Sequence, residues 1–191
     1  KKNLDGLLQA YARYRELAED PWALVLLGSG PLGDDVRRRR RDLGLDDHVR
    51  LPGFKQYDKL PVYYGLAEAF VHASRREQWG LVVNEAMAAG LPVVVSDRCG
   101  CAPDLVEEGQ NGFTFSPSDT DALADALVRI SEPTCDRKAM GEASRKIISE
   151  WTPKTFARQL LRAAETAQEH VAGSKGSSWF DALLLEALMR R

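Results

Sequence analysis

Two carboxylates and one glycine carry the chemistry that this sequence offers. Glu77 and Glu85 stand eight positions apart in E-Q-W-G-L-V-V-N-E, with Gly80 between them. After Gly80 the apolar residues Leu81, Val82, Ala86 and Ala89 fall at helical spacing, and Gly90-Leu91-Pro92 ends the run. The helix so predicted leaves its first backbone N–H groups without internal acceptors, and its dipole adds positive charge there. A glycine at that end lets a phosphate approach the backbone, which makes it an anion site. Glu85, on the second turn, lies roughly 7 Å further along the axis at ~1.5 Å rise per residue. That reach suits a carboxylate accepting hydrogen bonds from a ribose diol whose pyrophosphate rests on the helix end. Glu77, in the loop before the helix, faces whatever the diphosphate carries.

The elements that must position these groups alternate along the chain. A helix runs from Leu4 to about Glu19, and Ala23–Leu27 is a continuous apolar run that predicts a strand buried on both faces. Gly28-Ser29-Gly30 turns into the next helix; it lacks the third glycine of a dinucleotide loop, so it reads as a tight turn or a ligand contact. Strands follow at His48–Leu51, Glu68–Ala73, Leu91–Ser96 and Asn111–Phe115, with a helix over Tyr57–Leu66. Helices over Ala122–Ile130, Cys135–Glu150 and Pro153–His170 close the domain. This order implies an α/β fold, a doubly wound parallel sheet of Rossmann-like type with C-terminal helices. Ligands of such sheets bind outside the carboxyl ends of the strands, where the loop between Ala73 and Gly80 must lie.

Other conspicuous residues read differently. Arg37 to Arg41 would surround a helix at ~100° per residue and form no single basic face. Asp34 and Asp35 precede them at spacings that suit surface ion pairs. Asp119-Thr120-Asp121 is a literal D-x-D, but it opens a helix, where such residues cap free N–H groups. Cys99 and Cys101 have no further Cys or His cluster to complete a metal site, so they read as structural thiols. His72 ends a strand beside the presumed site, as a hydrogen-bonded structural residue or as a ligand.

In its full context, W-G-L-V-V-N-E-A-M-A-A-G-L-P-V-V-V-S, the glutamate pair resembles the E-x7-E signature of the family 4 (group 1) retaining glycosyltransferases. G-S-G-P at 28–31, H-V-R-L-P-G-F at 48–54 and N-G-F-T-F-S-P at 111–117 extend the likeness over Lys1 to about Phe156. The resemblance implies the C-terminal, donor-binding half of a GT-B fold. It further implies metal-independent transfer of a sugar from a nucleotide diphosphate-sugar (UDP-, GDP- or ADP-linked) to an acceptor hydroxyl, with retention and without any cofactor. By the same resemblance Glu77 contacts the transferred sugar, Glu85 binds the ribose, and the amides of Gly80, Leu81 and Val82 meet the diphosphate. Lys2 matches a lysine that contacts the donor phosphates, its other reading being a solvated charge, and Arg50 is a candidate for stacking on the base. The family's acceptor domain, and the strand and arginine ahead of Lys2, are expected to lie before residue 1. The chain departs from the family in Asp97-Arg98-Cys99-Gly100-Cys101, which lacks the usual paired glycines, and in Asp104, where glutamate is usual.

Size and composition agree with a globular domain: 191 residues, 44% hydrophobic and 28% charged. A net charge of −2 gives no reason to expect a nucleic acid partner. No apolar run approaches the ~20 residues that cross a bilayer, and three cysteines make no disulfide framework. A cytoplasmic location is therefore expected, with attachment to the inner membrane face an option for the full-length enzyme. The donor domain is expected over 1–172, a flexible Gly/Ser linker over 173–178, and an amphipathic helix over 179–191 that could join two copies of the chain. A catalytically inactive nucleotide-sugar-binding module, acting with a separate partner domain, is the alternative from a different class.

Overall fold

The computed structural model describes residues 1–173. Of the linker expected over 173–178 only Gly173 is described, as the last residue of a helix. The 179–191 helix lies outside the described residues, as does any dimer contact through it. The chain divides into two compact units, Lys1–Ile148 and the part from Ser149 onward.

The first unit begins with α1 (Leu4–Leu17), which buries Leu7, Leu8, Ala10, Tyr11 and Tyr14 on one side. β1 (Leu24–Leu27), α2 (Gly33–Asp42) and β2 (Val49–Gly53) follow, and β1 and β2 pair in parallel. A 3-10 turn at Tyr57–Lys59 leads into α3 (Leu60–Leu66), then β3 (Phe70–His72), α4 (Leu81–Ala89), β4 (Val93–Ser96) and the short α5 (Ala102–Leu105). β5 (Gly112–Phe115), α6 (Thr120–Ser131) and α7 (Arg137–Ser149) complete the sequence of elements. β3, β4 and β5 form a three-stranded parallel sheet with β4 at its centre.

The α/β class with parallel strands is the one predicted, but the strands make two sheets rather than one. Among the described residues nothing pairs with the second edge of β1 or of β3. Both sheets share one core beneath α1, where Leu24, Leu26, Val49, Val94, Phe113 and Phe115 meet Leu8 and Tyr11. All four residues of β4 are buried, because Val94 faces that core while Val93 and Val95 face a second one with Val83, Met87 and Leu105. β1 corrects the expectation of a strand buried on both faces: Val25 is 46% and Leu27 38% exposed. Among the described residues its sheet is covered on one side only, so side chains of alternate residues face out.

Local chemistry explains several boundaries. Asp119 caps α6 by accepting from the Ala122 N–H at 2.9 Å, so the D-x-D serves the helix start. The arginine run disperses as its geometry requires: Arg37 and Arg38 pair with Asp34 and Asp35. Arg39 reaches Asp5 of α1 at 2.8 Å, and Arg40 reaches Asp46 at 2.7 Å. In the second unit, α8 (Pro153–Gly173) carries the exposed apolar side chains Phe156, Leu160 and Leu161. No helix of the described residues is long and apolar enough to cross a membrane.

Candidate donor site

β3 ends at His72, and the loop that follows brings Glu77 back beside it. The Glu77 side chain is 13% exposed, with Oε2 2.5 Å from Lys2 Nζ and 3.7 Å from His72 Nε2. Lys1 Nζ lies 3.6 Å from the other oxygen. Ser74, fully buried, stands 3.3 Å from His72 Nε2 through its hydroxyl. The hydrogen bond from Lys2 holds the Glu77 carboxyl below the ordinary carboxylate range. Burial pushes the His72 imidazolium below its usual pKa, Lys2 pushes the same way, and Glu77 opposes them.

The N-terminal residues are fastened to this loop from both sides. Asn3 adopts a left-handed conformation (φ 54°), which asparagine tolerates better than most residues. Its side chain caps nothing in α1; the amide oxygen accepts from Arg75 Nε at 2.8 Å and the amide nitrogen donates to the Pro117 carbonyl at 3.0 Å. The Arg75 N–H donates to the Lys1 carbonyl at 2.9 Å. Lys2 is thereby delivered to Glu77.

A second loop, after β4, holds the Glu77 backbone. The Glu77 N–H donates to the Arg98 carbonyl (3.2 Å), the Gly100 N–H to the Glu77 carbonyl (3.0 Å), and the Cys101 N–H to the Trp79 carbonyl (3.2 Å). A Cβ at Gly100 would meet the Gln78 carbonyl oxygen at 1.9 Å, so only glycine permits this approach. Cys99 and Cys101 are buried beneath the loop, with burial pushing their thiols up to about 12 and about 11. They stay protonated at neutral pH and belong to the second core. Among the described residues no group of three His, Cys, Asp or Glu side chains could hold a metal ion.

Gly80 opens α4 in a left-handed conformation (φ 107°, ψ 60°), where a side chain would be strained. Leu81 is 69% exposed at the first helical position, and Val82 is half-buried behind it. Trp79 Nε1 donates to Asn84 Oδ1 at 3.0 Å and ties the loop to the helix. Glu85 lies on the second turn, as the spacing predicted, and accepts from the Tyr64 hydroxyl at 2.9 Å. The α4 terminus thus carries Glu77 on its loop side and Glu85 along its length. Arg50 is exposed on β2, in the other sheet, opposite Val25.

The sequence pattern described as "Glycosyl transferases group 1" matches residues 1–147. The chain belongs to the glycosyl transferases group 1 family. It is 32% identical over 179 residues to the GDP-mannose-dependent alpha-(1-6)-phosphatidylinositol monomannoside mannosyltransferase of Mycobacterium tuberculosis (strain CDC 1551 / Oshkosh), covering 88% of this chain and 46% of that protein. It resembles the crystal structure of Anabaena Alr3699/HepE in complex with UDP at TM-score 0.70 and 25% identity, over 82% of this chain and 44% of that one. The apo form of the lipopolysaccharide outer core galactosyltransferase WaaB shares the fold at TM-score 0.76 and 21% identity, over 87% of this chain and 46% of the other. The chain spans about half the length of the curated relatives it matches. Its fold is one Rossmann-like half of the GT-B arrangement.

Three features of this candidate site escaped the sequence reading. The Lys2–Glu77 pair joins residues on either side of a whole sheet unit, Tyr64 comes from a helix with no motif, and the 97–101 loop had been marked only as a departure. In that loop Gly100 stands at the position where backbone meets backbone.

The acid sensitivity of the unit follows from His72. Its imidazole binds a proton less readily folded than unfolded, so the unfolded chain takes up more protons as pH falls below about 6.5. That contribution to stability is complete above pH ~6.5 and declines below it. Glu77 adds a loss of the same sign at lower pH, once its carboxyl is protonated. Melting curves between pH 7.5 and 5 should show His72→Gln with a flatter decline than the parent. Equal slopes would mean that the ring takes its proton as easily in the fold as in the open chain.

Proposed function

We propose that this chain is the donor-binding, C-terminal half of a retaining, metal-independent glycosyltransferase. It would bind a nucleotide diphosphate-sugar and act with an acceptor-binding domain on the cytoplasmic side of the membrane. One observation carries the reading: Glu77 and Glu85 flank the glycine-opened N-terminus of α4, beside the carboxyl end of β3. The free N–H groups and dipole of that helix, at Gly80, Leu81 and Val82, meet the diphosphate and stabilise charge as it departs. A fixed dipole serves that role without a metal. Glu85 takes the ribose diol and Glu77 the hydroxyls of the transferred sugar. Lys2 stays paired with Glu77 until a donor enters and then shares its charge with the phosphates. Arg50 takes the base. An acceptor domain is supported by the relatives being about twice as long as this chain. Without it the chain binds donor and transfers nothing.

A thermal-shift screen with GDP-, UDP- and ADP-sugars, in EDTA and in magnesium, tests this. A ligand at about a hundred times its dissociation constant should add about 2.7 kcal/mol of stability. The shift is expected for one nucleotide series and to be equal in both buffers. A shift that needs magnesium removes metal independence, and none with any donor sinks the whole reading.

A further inference from the structure

Glu85 is not free to choose its own direction. A glutamate side chain on a helix surface has three rotatable bonds, and holding it in one rotamer costs conformational entropy that binding would otherwise have to meet. Here the Tyr64 hydroxyl donates to Oε2 at 2.9 Å. Tyr64 is in turn held by a row of rings: it packs tilted on Phe70, centroids 6.1 Å apart, and Phe70 stacks on His72 at 6.2 Å and 14°. The far end of the row is the ring whose Nε2 lies 3.7 Å from Glu77. One line of aromatic side chains, crossing from α3 to β3, therefore runs from the Glu85 hydrogen bond to within 3.7 Å of Glu77.

We infer that Tyr64 is a positioning residue, which presets the Glu85 carboxylate for the ribose diol of the donor nucleotide. The inference rests on the reading of Glu85 as the ribose ligand. One oxygen is committed to the phenol and the other is left to accept from the two hydroxyls. A phenol–carboxylate hydrogen bond is charge-assisted, so it fixes the direction of the carboxylate more firmly than a neutral contact would. Burial, and then Glu85 itself, raise the Tyr64 pKa, so the phenol remains a donor through the neutral and mildly alkaline range.

The test is calorimetry of the 191-residue chain with GDP and UDP, each beside its 2′,3′-dideoxy counterpart. Tyr64→Phe keeps the ring, its contact with Phe70 and the fold, which a melting curve checks. For whichever base binds, the variant should lose about fivefold to tenfold in affinity for the ribonucleotide and nothing for the dideoxynucleotide. In a Glu85→Gln background the same substitution should cost nothing more, since Tyr64 acts through Glu85. Equal weakening of both nucleotides would make Tyr64 a general structural residue and overturn the inference. So would an unchanged preference in Tyr64→Phe when Glu85→Gln abolishes it, although Glu85 would then keep its role. A preference for ribose unaltered in both variants, or no binding of any nucleotide, removes the Glu85 reading and this inference with it.

Discussion

Glu85→Gln is expected to weaken nucleoside diphosphate binding at least about tenfold, which corresponds to ~1.4 kcal/mol. The substitution keeps the size of the side chain but removes its charge and turns half of the acceptor into a donor. Hydrogen bonds to charged groups contribute about 1.5–3 kcal/mol each, so the loss exceeds that of a neutral contact. The Tyr64 hydroxyl that now donates to Glu85 would meet an amide in the variant, which adds a loss of direction. Glu77→Gln should behave differently. It releases Lys2 from its 2.5 Å contact, so affinity for the bare nucleotide should be unchanged or slightly better. The intact sugar nucleotide should bind less tightly, and transfer should collapse once an acceptor domain is present. Calorimetry with both ligands on both variants separates the two roles. Equal losses for the bare nucleotide would falsify the assignment.

Gly100→Ala should be strongly destabilising for a single added methyl. The added carbon would lie 1.9 Å from the Gln78 carbonyl oxygen, and 2.9 Å from its carbon, both backbone atoms that cannot swing aside. Relief requires the 97–101 loop to separate from the 77–79 loop, which sacrifices some of the three hydrogen bonds joining them. Overpacking costs about 1–3 kcal/mol and each lost hydrogen bond a further 0.5–1.5, so a destabilisation of about 3 kcal/mol is expected. Because Glu77 is anchored through this contact, binding of the sugar nucleotide should weaken even where the protein stays folded. Gly65→Ala, on α3 with nothing within 4 Å of the added carbon, is the control and should be neutral or slightly stabilising. Urea denaturation of the two variants gives the comparison. An alanine at residue 100 as stable as the parent would mean that the two loops are not in contact in solution.

What could be determined from the sequence alone was whatever a residue does within its own element. The α4 boundaries followed from apolar spacing and from glycines at each end, and the structure puts Gly80 and Gly90 at its caps in left-handed conformations. The cap at Asp119 and the ion pairs of Arg37 and Arg38 followed likewise from spacings of three residues. Glu85 fell on the second turn because helical rise is the same in every helix. β1 shows where this reasoning stops: an apolar run predicts burial, but whether a second layer covers its outer face depends on distant elements, and among the described residues none covers Val25 or Leu27. The site depended on tertiary structure to a greater extent. Lys2 meets Glu77 across 75 positions, Tyr64 meets Glu85 across 21, and the loop at Gly100 closes on Gln78 because parallel strands β3 and β4 end side by side. Periodicity records the geometry of a single helix or strand. Which carboxylate receives which partner is decided only when separate elements pack, and no local pattern encodes that register.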